Sequence, residues 1–339
     1  MNKQRYYPYS RYLKERFGER VHKVAIDAGF TCPNRDGVKG RGGCTYCNNE
    51  GFSHNSRHEL LPIAEQIERG MAFMRRRYKA NRFMAYYQAS SNTYGPLDYL
   101  KEVYDAVLPY PDIVAMAVGT RPDCVNEEVL DLLASYQPER EMWVEYGLQT
   151  THNRTLQRIN RSDTYERFLW AVEKAEERDL KICVHVILGL PGESHEDMMQ
   201  TADRLASLPF DSLKIHLLHV MKHTLMYHQY QRGEIPLFTF DGYVKTVCDF
   251  LERIPPSVSV QRLTADAPPD VLVAPEWCLR RREIVEAIGE ELERRDRWQG
   301  QLVSPCAKHD ESWRTLAKRG AFTQCALPEQ GAVPGGASA

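Results

Sequence analysis

The chain has 339 residues, 42% of them hydrophobic, and a formal net charge of −2. That is enough for one large domain, or one domain with an appendage, and the near-neutral balance gives no global argument for nucleic acid. No apolar run approaches the ~18 residues of a membrane span, and residues 1–7 have no apolar core like that of a signal peptide. Nine cysteines, an odd number with three clustered, do not read as a disulfide framework. They suit a reducing compartment, the cytoplasm.

Residues 1–20 form an arm of aromatics and cations, with Arg5, Tyr6, Tyr7, Tyr9, Arg11, Tyr12 and Lys14. Such a mixture suits stacking on single-stranded nucleic acid. The preferred reading is an arm whose tyrosines pack on the domain while its cations stay wet. From residue 21 a strand–helix rhythm begins. Strands are expected at 21–30, 82–89, 112–119, 141–149, 180–188 and 211–219, and helices at 62–80, 97–107, 126–135, 165–177 and 194–207. Asp163-x-x-Glu166 and Ser194-x-x-Asp197 read as capping boxes for the last two helices.

Alternating strands and helices mean a parallel sheet with right-handed crossovers. Six units are fewer than the eight of a closed barrel. The expected fold class is therefore α/β, a partial (βα)6 TIM-like barrel over residues 21–235. Beyond 235 the rhythm fails. Helices at 241–253 and 278–298 flank a short strand at 257–263, a small α+β extension over 236–300. Residues 301–339 form a tail. From about 328 its Gly, Ala, Ser and Pro bury too little to fold.

Polar residues follow one end of the strands: Thr31, then Ser90, Ser91 and Asn92, then Thr120, Arg121 and Asp123, then Gln149, Gly189, Pro191 and His219. Active sites of βα barrels lie at that end. The segment after the first strand carries Cys32, Cys44 and Cys47 in the pattern C-x11-C-x2-C, with Gly37, Gly40, Gly42 and Gly43 inside it. Thiolates favour zinc and iron–sulfur clusters. A structural zinc site wants four protein ligands, whereas a [4Fe–4S] cluster on three thiolates keeps one iron open. No fourth cysteine follows until Cys124, though His54 and His58 could complete a zinc site. Three buried thiols with no ligand are the bland alternative. Cys183 reads as core. Cys124, Cys248, Cys278, Cys306 and Cys325 lack a chelating spacing.

The cysteine loop and the strand-end motifs together resemble the radical S-adenosylmethionine (SAM) superfamily over about residues 21–235. Within it the chain resembles the Elongator-protein-3-like branch, most closely the YhcC family, and residues 236–300 resemble the small domain that follows the core there. The resemblance implies that Cys32, Cys44 and Cys47 hold a [4Fe–4S] cluster whose open iron takes the amino and carboxylate groups of SAM. It implies Tyr46 near the adenine, and Ser91 and Asn92 near the SAM amino group. Thr120 falls in the third-strand motif. Glu145, Gln149 and Arg161 fall in the fourth, whose Gln and Arg reach SAM. Gly189 and Pro191 fall in a turn that approaches the adenosine. Two departures stand out: the usual glycines are absent from residues 90–93, and the cysteine spacing is longer than CxxxCxxC.

The implied reaction is reductive cleavage of SAM to a 5′-deoxyadenosyl radical that abstracts hydrogen from a substrate. The electron would come from a carrier such as flavodoxin or ferredoxin. The branch suggests tRNA as substrate, and Arg75-Arg76-Arg77 and Arg280-Arg281-Arg282 are basic stretches in its favour. The branch's acetyltransferase domain has no counterpart here, so acetyl transfer is not carried over. A small-molecule or protein substrate is the first alternative, and a non-enzymatic zinc module the second. His216, His219 and Lys222, on or after the sixth strand, are the acid–base candidates. Asp211 and Lys214 read as structural.

Overall fold

A computed structural model describes residues 4–48, 60–265, 267–303 and 312–320. His54, His58, Cys306, Cys325 and the segment from 328 lie outside the described residues. Six strands follow the expected order: β1 (Val21–Ile26), β2 (Arg82–Tyr87), β3 (Ile113–Thr120), β4 (Glu141–Gln149), β5 (Lys181–Leu188) and β6 (Ser212–Leu217). They alternate with α2 (Ile63–Tyr78), α3 (Leu97–Asp105), α4 (Glu127–Ala134), α6 (Tyr165–Glu176) and α7 (His195–Ala206). The register shows why. In β2, Phe83, Ala85 and Tyr87 point to the helix layer and join the main core, while Met84 and Tyr86 join the inner cluster. Both faces are covered, as in parallel sheets generally.

The sheet gains a seventh strand. The segment expected as a C-terminal α+β extension from residue 236 supplies β8 (Ser259–Arg262), which pairs parallel to β6 and completes the order β1-β2-β3-β4-β5-β6-β8 in a curled half-barrel. Its flanking helices are α9 (Phe240–Leu251) and α10 (Arg281–Arg294). Periodicity shows a short strand there but not its partner. A two-stranded antiparallel ribbon, β7 (Val220–Met221) with β9 (Leu272–Ala274), and the short helices α5 (Asn153–Arg158) and α8 (Leu225–Gln231) sit at the strand ends.

Capping sets the helix starts. Ser194 and Asp197 form the expected capping box of α7. At α6 the expectation fails by one residue. Thr164 is the N-cap and accepts from Arg167 N, while Asp163 accepts from Thr164 N and Glu166 accepts from Asn153.

The arm folds into helix α1 (Tyr9–Phe17), which plugs the end of the half-barrel where the strands begin. Tyr9 and Tyr12 meet the Trp143 ring edge-on, each with centroids 5.5 Å away. Tyr7 donates to Glu15. Tyr9 and Tyr12 are thus packed, as the preferred reading held, and do not stand free to stack on bases. Part of the expected tail is also ordered. Helix α11 (Ser312–Gly320) buries Trp313 and Ala317 in the main core, and its Arg314 pairs with Glu173 and Glu176 of α6.

Candidate active site

The loop after β1 is stitched to the rest of the strand-end face. Asn160 Nδ2 donates to Gly43 O at 2.8 Å, Thr45 N to Ile159 O at 2.9 Å, and Met226 N to Thr45 O at 2.9 Å. Arg35 Nη2 reaches Cys47 O at 2.8 Å. These bonds run to the turn after α5 and to α8, elements that the sequence rhythm did not mark. They hold Cys32, Cys44 and Cys47 at the mouth of a cavity of about 220 Å³. Cys124, by contrast, is buried against Tyr94 outside that cavity.

Tyr46, Ser91, Asn92, Thr120, Glu145, Gln149 and Arg161 all line the same cavity. Several carry unmet polar capacity: Ser91 Oγ, Asn92 Oδ1 and Arg161 Nε are buried without a hydrogen-bond partner among the described residues. Such atoms cost about 1–3 kcal/mol each unless something meets them. Ser90 and Gln149, both bordering the cavity, hold φ of 61° and 76°, a strained conformation for side-chain-bearing residues that clusters at functional sites. Gly147 makes the close approach possible. A Cβ there would lie 2.8 Å from Gln149 Nε2 and 2.9 Å from Arg161 Nη2.

Arg161 is the pivot of the upper cavity. It donates to Gly147 O and points Nη1 at Cys44 Sγ, 3.7 Å away. Burial alone would raise the Cys44 thiol, but the charges of Arg161 and Arg121 outweigh it and hold its pKa below the usual value. Cys47 goes the other way, pushed up to about 12 by burial and by the neighbouring Cys44 charge. A bound cation reverses that cost, because it favours the thiolate. Arg121 is fixed by the buried carboxylate of Asp123 at 2.7 and 2.9 Å, and Asp123 also accepts from Lys39.

The deeper half of the cavity is a polar web that the sequence reading left mostly unassigned. Glu145 is fully buried and its two oxygens take Lys23, Lys214 and His185. Lys214, read as structural, therefore faces the cavity, together with Tyr86, His216 and Arg262. Alternation along each strand could have flagged these charges, since they share the inward parity of Trp143 and Cys183. Of the acid–base candidates, His216 and His219 line the cavity. Lys222 does not: it is exposed and donates to Asp270 O, because the chain turns outward into β7. Gly189 and Pro191 are not among the lining residues. Gly189 sits at φ 89° against the Phe238 ring.

The donor set fits an iron–sulfur cluster better than zinc. One zinc ion with tetrahedral bonds of about 2.3 Å draws its sulfurs to roughly 3.8 Å. Among the described residues, one trio of potential ligands comes within 4.8 Å, and it is Glu145, Cys183 and His185 rather than the cysteine loop. The three thiols do not all come within 4.8 Å of one another, a looser set than one tetrahedral ion requires.

A seven-stranded parallel half-barrel with a three-cysteine loop at the carboxyl ends of its strands defines a class. The chain belongs to the radical SAM superfamily: residues 32–205 match that family's model, and residues 210–294 match the radical SAM C-terminal domain. Enzymes of this superfamily use a [4Fe–4S] cluster and SAM. The chain is 40% identical to the uncharacterised protein YtqA of Bacillus subtilis (strain 168) over 88% of its length and 92% of YtqA. It is 38% identical to protein YhcC of Escherichia coli (strain K12), over 79% of the chain and 86% of YhcC. Among solved structures, the archaeal Methanocaldococcus infernus Elp3 with an N-terminal deletion superposes with a TM-score of 0.63 at 17% identity. That match covers 82% of this chain and 64% of Elp3. The YhcC family suggested by the motifs is thus supported by sequence identity and the fold by the Elp3 superposition, and family membership displaces the zinc-module alternative.

Proposed function

We propose that Cys32, Cys44 and Cys47 hold the cluster and that the unmet polar atoms beside them hold SAM. The observation that carries this is the convergence of Ser91 Oγ, Asn92 Oδ1 and Arg161 Nε, each buried and short of a partner, on the cavity under the cysteine loop. When bound, the cluster supplies the electron that splits SAM into methionine and a 5′-deoxyadenosyl radical, which takes hydrogen from the substrate. Arg161 orients a carboxylate, and Gln149 and Asn92 fix polar groups beside it. Tyr46, buried next to Cys44, offers an aromatic wall for the adenine. Glu145 keeps its protein partners and shapes the floor. His216 and His219 stand where they could exchange a proton with substrate. Lys222 has no role in this reading. The expected setting is the reducing cytoplasm, with flavodoxin or ferredoxin as electron donor.

The substrate meets the SAM site inside the half-barrel, which favours a small molecule or a single extended group. A tRNA substrate is supported by the names of several distant relatives, among them a tRNA uridine(34) acetyltransferase of Methanocaldococcus jannaschii that is 26% identical over 163 residues, 47% of this chain and 30% of that protein. The decisive experiment is anaerobic reconstitution with iron and sulfide, followed by SAM and dithionite, scored for 5′-deoxyadenosine. Its formation supports the reading. Protein that takes up iron but makes no 5′-deoxyadenosine, with or without tRNA, would defeat it.

A further inference from the structure

The two edges of the sheet, β1 and β8, are not joined by backbone pairing. Side chains bridge them instead. Lys23 of β1 donates to Gln261 Oε1 of β8 at 2.7 Å and to Glu145 Oε1 at 3.0 Å. A groove runs along this seam beside α1, and it shares Tyr86, Lys214 and Arg262 with the active-site cavity.

Charge along this route is unbalanced. Lys23, Lys214 and Arg262 border it, and among the described residues Glu145 is the one carboxylate lining either space. Its oxygens already serve Lys23, Lys214 and His185. The Arg262 side chain lines both spaces and makes no hydrogen bond or ion pair among the described residues. Nearby Gln261 Nε2 is buried without a partner among the described residues. Burial pulls His185 down to about 4 and His216 well below its usual value. Both rings are then neutral near pH 7 and can donate without adding charge. A guanidinium kept half out of water and unpaired is costly unless an anion meets it. A cation is unwelcome here. Glu145, Cys183 and His185 are close enough to ligate one, but two ammonium groups occupy the carboxylate and burial keeps the Cys183 thiol protonated.

We propose that this inner end of the cavity is an anion subsite: the substrate carries a carboxylate or phosphate that Arg262 grips, with Lys23 and Lys214 beside it. The inference rests on the placement of SAM at the cysteine end, since that puts the rest of the substrate between the two.

The test is calorimetric titration of the reconstituted protein, anaerobic and with SAM present, using inorganic phosphate and, separately, succinate. At least one of them should bind. Arg262→Gln should weaken that binding at least tenfold, and Arg262→Lys should restore part of it. Lys23→Gln, on the opposite edge strand, should weaken it as well; Arg262→Gln should unfold near the wild-type temperature, while Lys23→Gln, which also takes a partner from buried Glu145, should unfold earlier and is titrated well below its melting point. The exposed-surface control Arg76→Gln should bind like wild type. Preference for phosphate identifies a phosphate ester, and preference for succinate an acid. The proposal is overturned if wild type binds neither ion, or if Arg262→Gln and Lys23→Gln bind as tightly as wild type. Iron content and SAM affinity are read on the same samples. Loss of these with anion binding intact defeats the functional reading and leaves the subsite standing.

Discussion

The two ends of the half-barrel contain similar side chains and treat them differently. Where the strands begin, Tyr9, Tyr12 and Trp143 interlock edge to face, and Trp143 Nε1 donates to Glu141 at 2.8 Å. Where the strands end, Tyr46, Ser91, Asn92 and Arg161 are just as buried, yet three of them keep polar atoms without partners among the described residues. The first end gains stability from aromatic contacts of about 0.5–1.5 kcal/mol per pair beyond the area they bury. The second gives stability up. Residue type alone does not separate a plug from a binding site. Convergence does: Tyr12 Oη at the first end also lacks a partner among the described residues, but at the second end three such atoms converge on one cavity.

The cysteine variants test this contrast most severely. Replacing Cys32, Cys44 or Cys47 by Ala should take reconstituted protein from about four irons per chain to almost none. Cys183→Ala, inside the inner cluster beside Glu145, should keep its iron. Iron and sulfide assays with visible absorption decide it. Full iron retention in Cys44→Ala would place the metal elsewhere.

The opposite end should fail in the opposite way. Trp143→Ala should lose about 3–5 kcal/mol of stability, the usual cost of emptying a buried aromatic site, while the folded fraction still takes up iron. Denaturant titration gives the first quantity. A change below about 1 kcal/mol would mean that α1 contributes little as a plug.

Arg161→Ala should leave iron content intact and weaken SAM binding by about 1.5–3 kcal/mol, as expected for a lost charged hydrogen bond. Gly147→Ala should act in the same direction by crowding Arg161 and Gln149. Unchanged affinity in a folded Arg161→Ala protein would remove Arg161 from the SAM site.

The polar web between the two ends predicts a pH effect. His185 titrates at about 4 when folded, against 6.5 for the free side chain, because burial disfavours its charge. The unfolded chain therefore binds more protons in that window, and stability should fall as pH drops from about 6.5 toward 4. The slope from this one group is at most about 1.4 kcal/mol per pH unit. Glu145, held well below its usual value despite burial because Lys214 and Lys23 outweigh it, adds its own loss at lower pH. His185→Gln should flatten the upper part of the profile, read by denaturant titration across pH. An unchanged slope would show that His185 is not buried neutral. The smallest effect belongs to Lys222→Ala. Its ammonium sits on Asp270 O at the surface, so SAM cleavage and stability should stay within error of wild type.

The sequence by itself determined the repeating core and located the three-cysteine loop. Strand and helix periods are local, so six strands were legible, and β4 matched at both ends. The spacing of Cys32, Cys44 and Cys47 is likewise local, and their chemistry follows from residue type. Ser194 and Asp197 lie within one helical turn, so their capping box could be read directly. What only the tertiary structure decided involves partners far apart in sequence. Val260 needed β6 to become part of the sheet, and Tyr9 and Tyr12 needed Trp143 to become a plug rather than a binding arm. Lys23, Glu145, Lys214 and Arg262 come from four different strands. Each reads as an ordinary charge until the curled sheet turns all of them inward and places one carboxylate among three cations.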